Sequence, residues 1–345
     1  MEDKMEKQMW CNPLRVSGTG GQTALARNRI ASWNTTAQTL RLPNGAALAL
    51  LLGFLLLIGS QMARAEDRAA LRDAALQHVN QSRTDEGLPP LEPGASLDEA
   101  AQKHAEDMLK RGYYSHTTPQ GDGPRDRFLD AGGGEWERVA ENIARCRNCG
   151  ALDRERVATF HEGWMDSPGH RANILSEGLA RFGFGAVALD GRIYAVQTFA
   201  GPGNSRGRDG TEIEAGGASD IAQEVLNAER TRAGVAPVNR SPALTEAAME
   251  ALPADLGGMR IESLDPFGTF PQELREFGRL QALVSECGGC GTVATAGDVR
   301  AFLGDWLEAH GRRVSLLDGE TTHLGMALRS DWEGRKVALL LLGTR

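Results

Sequence analysis

An α+β fold used twice along one chain is the architecture this sequence predicts. Three observations carry it. Trp164–Gly201 lies over Trp306–Gly343 without a gap, with Leu175 on Leu317 and Gly183 on Gly325. A match of that length means one domain plan repeated. Apolar residues recur at helical spacing in both halves. Each half also closes on two apolar runs separated by a short polar turn, the signature of a β-hairpin.

The elements follow in order. Ala69, Leu71, Ala75, Leu76 and Val79 predict a helix over 66–83, stopped by Gly87 and Pro89-Pro90. Ser96-Leu97-Asp98-Glu99 reads as a capping box opening a helix that runs to about Arg111 and ends at Gly112. Pro124 suits the first turn of a short helix through Leu129. Val157, Phe160 and Trp164 give Asp153–Met165 a core face, and Ser167-Pro168-Gly169 breaks it. Phe182–Leu189 and Arg192–Phe199 read as strands joined by Asp190-Gly191, a strong hairpin signal. Residues 204–219 read as a polar, Gly-rich linker. The helices then come round again, closing with the strands His323–Arg329 and Lys336–Leu342.

The repeat extends upstream, and its disagreements are informative. Val79-Asn80-Gln81-Ser82-Arg83 matches Leu226-Asn227-Ala228-Glu229-Arg230, and Cys146 and Cys149 match Cys287 and Cys290. Between Pro271 and Cys287 the second copy has lost the counterpart of the Gly132–Trp136 segment. Such losses are tolerated where a loop carries no needed function. Where the first copy holds His116, Glu141 and His170, the second holds Ser263, Ala282 and Arg312. One copy kept a polar site and the other lost it.

Charge and cysteine usage bound the function. Residues 1–65 carry seven Lys/Arg against three Asp/Glu, which leaves the remainder 31 against 43, near −12. A chain so acidic is a poor partner for nucleic acid. Ala46–Gly59 has fourteen residues without a charge, short for a bilayer span and typical of a signal-peptide core. Ala63-Arg64-Ala65 follows as a small-x-small cleavage site, so residues 1–45 read as an atypical leader and 46–65 as a signal peptide cleaved after Ala65. The rival reading is a membrane anchor, and the membrane is otherwise no partner. A secreted or periplasmic protein follows. With Cys11 in the leader, the two Cys-x-x-Cys pairs Cys146/Cys149 and Cys287/Cys290 read most simply as two local disulfides. A shared tetrahedral zinc site is the alternative.

Tyr114-Ser115-His116, Ala140-Glu141-Asn142-Ile143 and Ser167-Pro168-Gly169-His170-Arg171-Ala172-Asn173-Ile174-Leu175 stand in an order that resembles the CAP superfamily, in its bacterial SCP/PR-1-like branch. The Asn80…Arg83 opening and the closing Tyr194…Phe199 belong to the same resemblance, which covers Leu71–Gly201. It implies a secreted α-β-α sandwich, here in two tandem copies with the second degenerate. The resulting domains are a CAP/SCP domain over 66–203 and a degenerate CAP-like domain over 220–345. It also implies a cleft lined by two histidines and two acids. His116, Glu141 and His170 fill three of those places, and Ser167 stands at the fourth, with Glu162 and Asp166 as acids nearby that do not match the motif.

Two imidazoles and a carboxylate can hold a divalent metal such as Zn²⁺ or Ca²⁺, run general acid–base chemistry near neutral pH, or simply brace loops through hydrogen bonds. Asn142, Arg171 and Asn173 read as supports of the Glu141 and His170 segments. His104 reads as a core histidine on an apolar stripe, and Trp164 and Trp306 as core. His161-Glu162 lacks the second histidine of a zinc-protease helix, and Gly203-Asn204-Ser205-Arg206-Gly207 lacks the helix a nucleophile elbow needs. Three functions follow: a non-catalytic exported domain binding a metal, small molecule or lipid; a metal-dependent hydrolase or peptidase using His116, Glu141 and His170; or an envelope protein docking a partner through 220–345.

Overall fold

The computed structural model of the chain describes residues 67–267 and 272–345. The leader, signal peptide and cleavage site expected at 1–65 lie outside them. Among the described residues no helix is long and apolar enough to cross a membrane.

The front half opens with helix α1 over 67–85. Strand β1 (Glu92–Pro93), α2 (Ala95–Arg111), α3 (Pro124–Asp130), β2 (Arg138–Arg147), α4 (Arg154–Asp166), α5 (Pro168–Ile174), β3 (Arg181–Leu189) and β4 (Arg192–Gly201) follow. The Asp190-Gly191 turn has positive φ at both residues, which lets β3 and β4 pair tightly. Gly112 ends α2 in the left-handed region, and Pro124 opens α3, as the sequence predicts. The Ser96 capping box does not form. Gly94 caps α2 without a side-chain bond, and the Asp98 carboxylate instead accepts from the Phe184 N–H at 2.8 Å, tying α2 to β3. Three elements escape the sequence patterns, the two-residue β1 among them. Strand β2 lies at the sheet edge and carries charge at both ends, so it shows no clean alternation. Helix α5 starts at Pro168, where the sequence reads only a break.

The sheet runs β1-β3-β4-β2, antiparallel except for the short parallel β1–β3 pairing. Its two faces bury different sets of residues. On one, Ala101, Ala105 and Met108 of α2 pack on Ile143, Tyr194 and Val196. Gly183 and Gly185 let the α2 backbone lie directly on β3: a Cβ at Gly185 would sit 2.2 Å from the Gln102 nitrogen. On the other face, Val79, Val157, Phe160, Trp164 and Ile174 from α1, α4 and α5 cover Phe182, Phe184 and Phe199. Each such side chain contributes about 1.5–3 kcal/mol by leaving water. Helices therefore cover the sheet on both sides.

The rear half builds a second four-stranded sheet. Its elements are α6 (Ala218–Arg232), β5 (Asn239–Arg240), α7 (Pro242–Ala251), β6 (Arg279–Cys287), α8 (Ala296–Glu308), α9 (His310–Leu316), β7 (His323–Ser330) and β8 (Lys336–Thr344). The strand order is β5-β7-β8-β6, again with one parallel pair, β5 with β7. Gly325 meets the α7 backbone as Gly183 meets α2, its would-be Cβ 2.2 Å from the Thr245 nitrogen. Arg83 and Arg230 are both fully buried and both donate to backbone carbonyls, of Ile174 and Ser176 in one half and of Leu316 and Asp318 in the other.

Residues 70–345 form one compact unit. The Gly-rich segment after β4 runs along the rear half: the Arg206 N–H donates to Asp298 at 2.7 Å and the Ile213 N–H to the Ala294 carbonyl at 3.0 Å. Asp298 is paired with Lys336, both side chains fully buried, and the Lys336 ammonium also donates to Ser205. Removing one member of such a pair leaves an unpaired charge without water. Lys336→Met should therefore lower stability by about 3 kcal/mol, read as a reduced urea-unfolding midpoint, and Asp298→Asn added to it should recover part of the loss.

Candidate functional site

Glu141 lies on β2, opposite Thr198 of β4, with its side chain 2% exposed on the α2 face of the sheet. The Nδ1–H of His116, from the loop after α2, donates to Glu141 Oε1 at 2.9 Å. Because a carboxylate can only accept, this bond assigns the proton to Nδ1 and leaves Nε2 free to face outward. The Nη2–H of Arg127, from α3, donates to Oε2 at 2.7 Å. His104 of α2 stands behind them, its Nε2 3.8 Å from Oε1 and donating to the Ser115 carbonyl at 3.0 Å. Burial alone pushes the Glu141 carboxyl upward. The His116 hydrogen bond and the charges of Arg127 and His104 outweigh it and hold the group below the usual glutamate range. Burial pushes His104 and His170 downward, and His116 adds to the shift at His170.

The other predicted residues act around this cluster. Asn142 points to the opposite face, where its Nδ2 donates to the His170 carbonyl at 3.2 Å and to Gln197 at 3.1 Å. Asn173 donates to Asn142 Oδ1 and to the Glu141 carbonyl, so the pair ties α5 to β2. Arg171 braces α5 differently, through an ion pair with Glu86 beyond α1. Ser167 is the N-cap position of α5 and makes no side-chain capping bond. Glu162 and Asp166 are exposed on α4. His170 keeps Nδ1 buried and without a hydrogen-bond partner. As an edge strand, β2 leaves carbonyls facing outward; the Tyr114 hydroxyl and the Trp164 indole N–H both donate to Ile143 O, at 3.0 and 3.1 Å. Trp164 is thus core and edge cap together.

Arg127 and His104 are the residues that sequence reasoning missed. The available signal for Arg127 is physical: a buried carboxylate needs a cation, and the α3 turn between His116 and Glu141 carries Arg125 and Arg127. The His104 reading as a core histidine holds for its burial, at 1% exposure, but its ring faces the cluster. Beside them lies a cavity of about 300 Å³ lined by His104, Asp107, Arg111, Asp122 and Arg127. Tyr113 donates to Asp107 at its edge, and burial together with that carboxylate pushes the Tyr113 hydroxyl up to about 12.

The donor set does not fit a His/His/Glu metal centre for Zn²⁺ or Ca²⁺. Both Glu141 oxygens are taken, one by a permanent guanidinium that repels a dication. Among the described residues no group of three or more His, Cys, Asp or Glu side chains is placed to hold a metal ion. The cysteines are bonded within each pair, Cys146 to Cys149 and Cys287 to Cys290, in place of a shared zinc site. In the rear half Ser263 sits in a 3₁₀ turn, Ala282 is exposed on β6, and Arg312 donates to Ser285 at 2.7 Å. Away from the cluster, His161 is buried against Ser82 at 2.8 Å and stacks on His78.

Two measurements probe these environments. Arg127→Met should cost about 3 kcal/mol in urea unfolding at pH 7 and move the loss of stability in acid to higher pH, because Glu141 then gives up its charge sooner. Burial, then the neighbouring His78, lowers His161 to about 4 from 6.5. Between those values the unfolded chain binds the extra proton. Stability should therefore fall as pH drops through that window, by about 3 kcal/mol, and His161→Gln should flatten the slope.

A model of the Cysteine-rich secretory protein family, CAP, matches residues 76–199. The uncharacterized protein YkwD of Bacillus subtilis is 30% identical over 129 residues, covering 37% of this chain and 47% of that protein. The uncharacterized membrane protein YlbC of the same organism is 32% identical over 124 residues, covering 36% of this chain and 32% of that protein. A solved extracellular protein containing an SCP domain, from Bacillus anthracis, is 29% identical with a TM-score of 0.30, covering 37% of this chain and 40% of that one. The chain thus spans less than half the length of the curated relatives it matches. The stretch similar to the CAP family, residues 76–199, is the one that carries His116, Glu141 and His170.

Proposed function

We propose that this chain is an exported, non-catalytic binding protein whose front CAP domain takes a small polar or lipid ligand at a cleft bordered by His116 and His170. One observation carries the reading. Glu141, the acid of the cluster, has both oxygens engaged, so it is neither a free general base nor an open metal ligand. What remains available to a ligand is the half-exposed His116 ring, fixed in direction by Glu141, beside the half-buried His170. A hydrolase using Glu141 as its base would need a free lone pair on that carboxylate in reach of water.

Export is supported by the apolar Ala46–Gly59 segment and by two disulfides, which persist in oxidising compartments. We infer further that the rear half is a second CAP-like unit that lost its cleft. The same strand order, the Gly183/Gly325 contact and the Arg83/Arg230 pair support this, as do Ser263, Ala282 and Arg312 in place of the polar set.

Native mass spectrometry of the full chain recovered from culture medium or periplasm tests the reading. The expected result is a chain starting at Glu66, two disulfides, and a co-purifying small molecule that His116→Ala releases. Zinc-dependent hydrolysis of peptides or esters by the pure protein, lost in His170→Ala, would favour the hydrolase instead.

A further inference from the structure

We propose that the rear half is a positioning device for the front cleft, acting through a one-way joint between the Cys287–Cys290 loop and Trp136. The joint is built of backbone. The Gly289 N–H donates to the Trp136 carbonyl at 2.7 Å. A Cβ on Gly288 would lie 2.9 Å from that carbonyl, and one on Gly289 would lie 3.0 Å from Arg138 Cβ, so the approach needs the two glycines inside the disulfide loop. The Trp136 ring carries the Arg335 guanidinium 4.1 Å from its centroid. Arg335 is 1% exposed and held by Glu286 at 2.6 Å and by the Leu256 and Met259 carbonyls. Alongside, the Gly291 N–H donates to the Pro202 carbonyl and the Cys290 N–H to that of Gly334.

Trp136 lies two residues before β2, and β2 carries Glu141. A second path reaches the same carboxylate. Arg125 of α3 donates to the Glu135 and Glu137 carbonyls on either side of Trp136, and Arg127 on the same helix holds Glu141 Oε2. The strand and the helix that fix Glu141, and through it His116, are thus both fastened to the segment that the rear half grips. The joint runs one way only. In the front half Arg147 and Asn148 replace the two glycines, and the Asn148 N–H is spent on Gly191 O of its own hairpin. The rear half has no counterpart of Gly132–Trp136. The segment that distinguishes the two halves is therefore the one that joins them.

This inference builds on the cleft reading, yet its test uses no ligand, so the two fail separately. The full chain is compared with Trp136→Ala, Trp136→Phe and Gly289→Val by amide hydrogen exchange and by the NMR signal of the His116 Nδ1–H. Trp136→Ala and Gly289→Val should speed exchange of the Arg138–Asn142 amides at least about tenfold and erase the His116 signal. The Phe184 and Ala186 amides of β3 should stay unchanged, and Trp136→Phe should keep both signatures. Unchanged β2 exchange and an intact His116 signal in the two opening variants would overturn the proposal. Equal loosening of β2 and β3 would also overturn it, since the joint would then hold the fold and not the cleft.

Discussion

A carboxylate buried on an edge strand is the constraint around which the front half is arranged. Leaving Glu141 ionised and dry would be costly, so the fold brings a permanent cation, Arg127, and a directed imidazole, His116, from two separate segments. Those bonds in turn fix the loop after α2 and the short helix α3 against the sheet. The exposed imidazole edge that results is a consequence of satisfying the acid. The same economy explains why Asn142 and Asn173 on the opposite face, and Tyr114 and Trp164 at the strand edge, all bond to neighbours instead of lining an open pocket.

The two halves show which parts of such a scaffold are separable. The close packing of a helix on a glycine-bearing strand persists in both, as do the buried arginines that gather the carbonyls at the ends of α5 and α9. These contacts hold layers together and do not depend on the cleft. With Ala282 where the sequence match sets Glu141, the rear half has no buried acid there to satisfy, and Ser263 and Arg312 stand where the match sets His116 and His170. The rear half has gained contacts of another kind, the Lys336–Asp298 pair that straps the connecting segment and the Gly288-Gly289 seat for Trp136. The half without the buried acid is the half that supplies these contacts.

Much of the fold was legible because it rests on local patterns. Helical spacing marked α1, α2, α4 and their rear counterparts, and Asp190-Gly191 marked the hairpin, since these signals arise within a few residues. Strand β2 and helix α5 were not legible. An edge strand exchanges half its pairing for side-chain caps, and a seven-residue helix is stable only by what it leans on. The Ser96 capping box failed for a related reason: Asp98 had a tertiary partner in the Phe184 N–H.

By itself the sequence determined the self-similarity of the two halves, the Cys-x-x-Cys pairs as local units, and His116, Glu141 and His170 as the residues at which the halves differ. Spacing and self-comparison suffice for these. Only the tertiary structure decided what those residues do, because the charge state and freedom of a buried acid depend on neighbours distant in sequence. Arg127 at the Glu141 carboxylate made Glu141 and His116 parts of a hydrogen-bonded cluster that the His170 ring does not join, and the seat of Trp136 on the rear disulfide loop gave a role to a segment for which the sequence showed no match in the rear half.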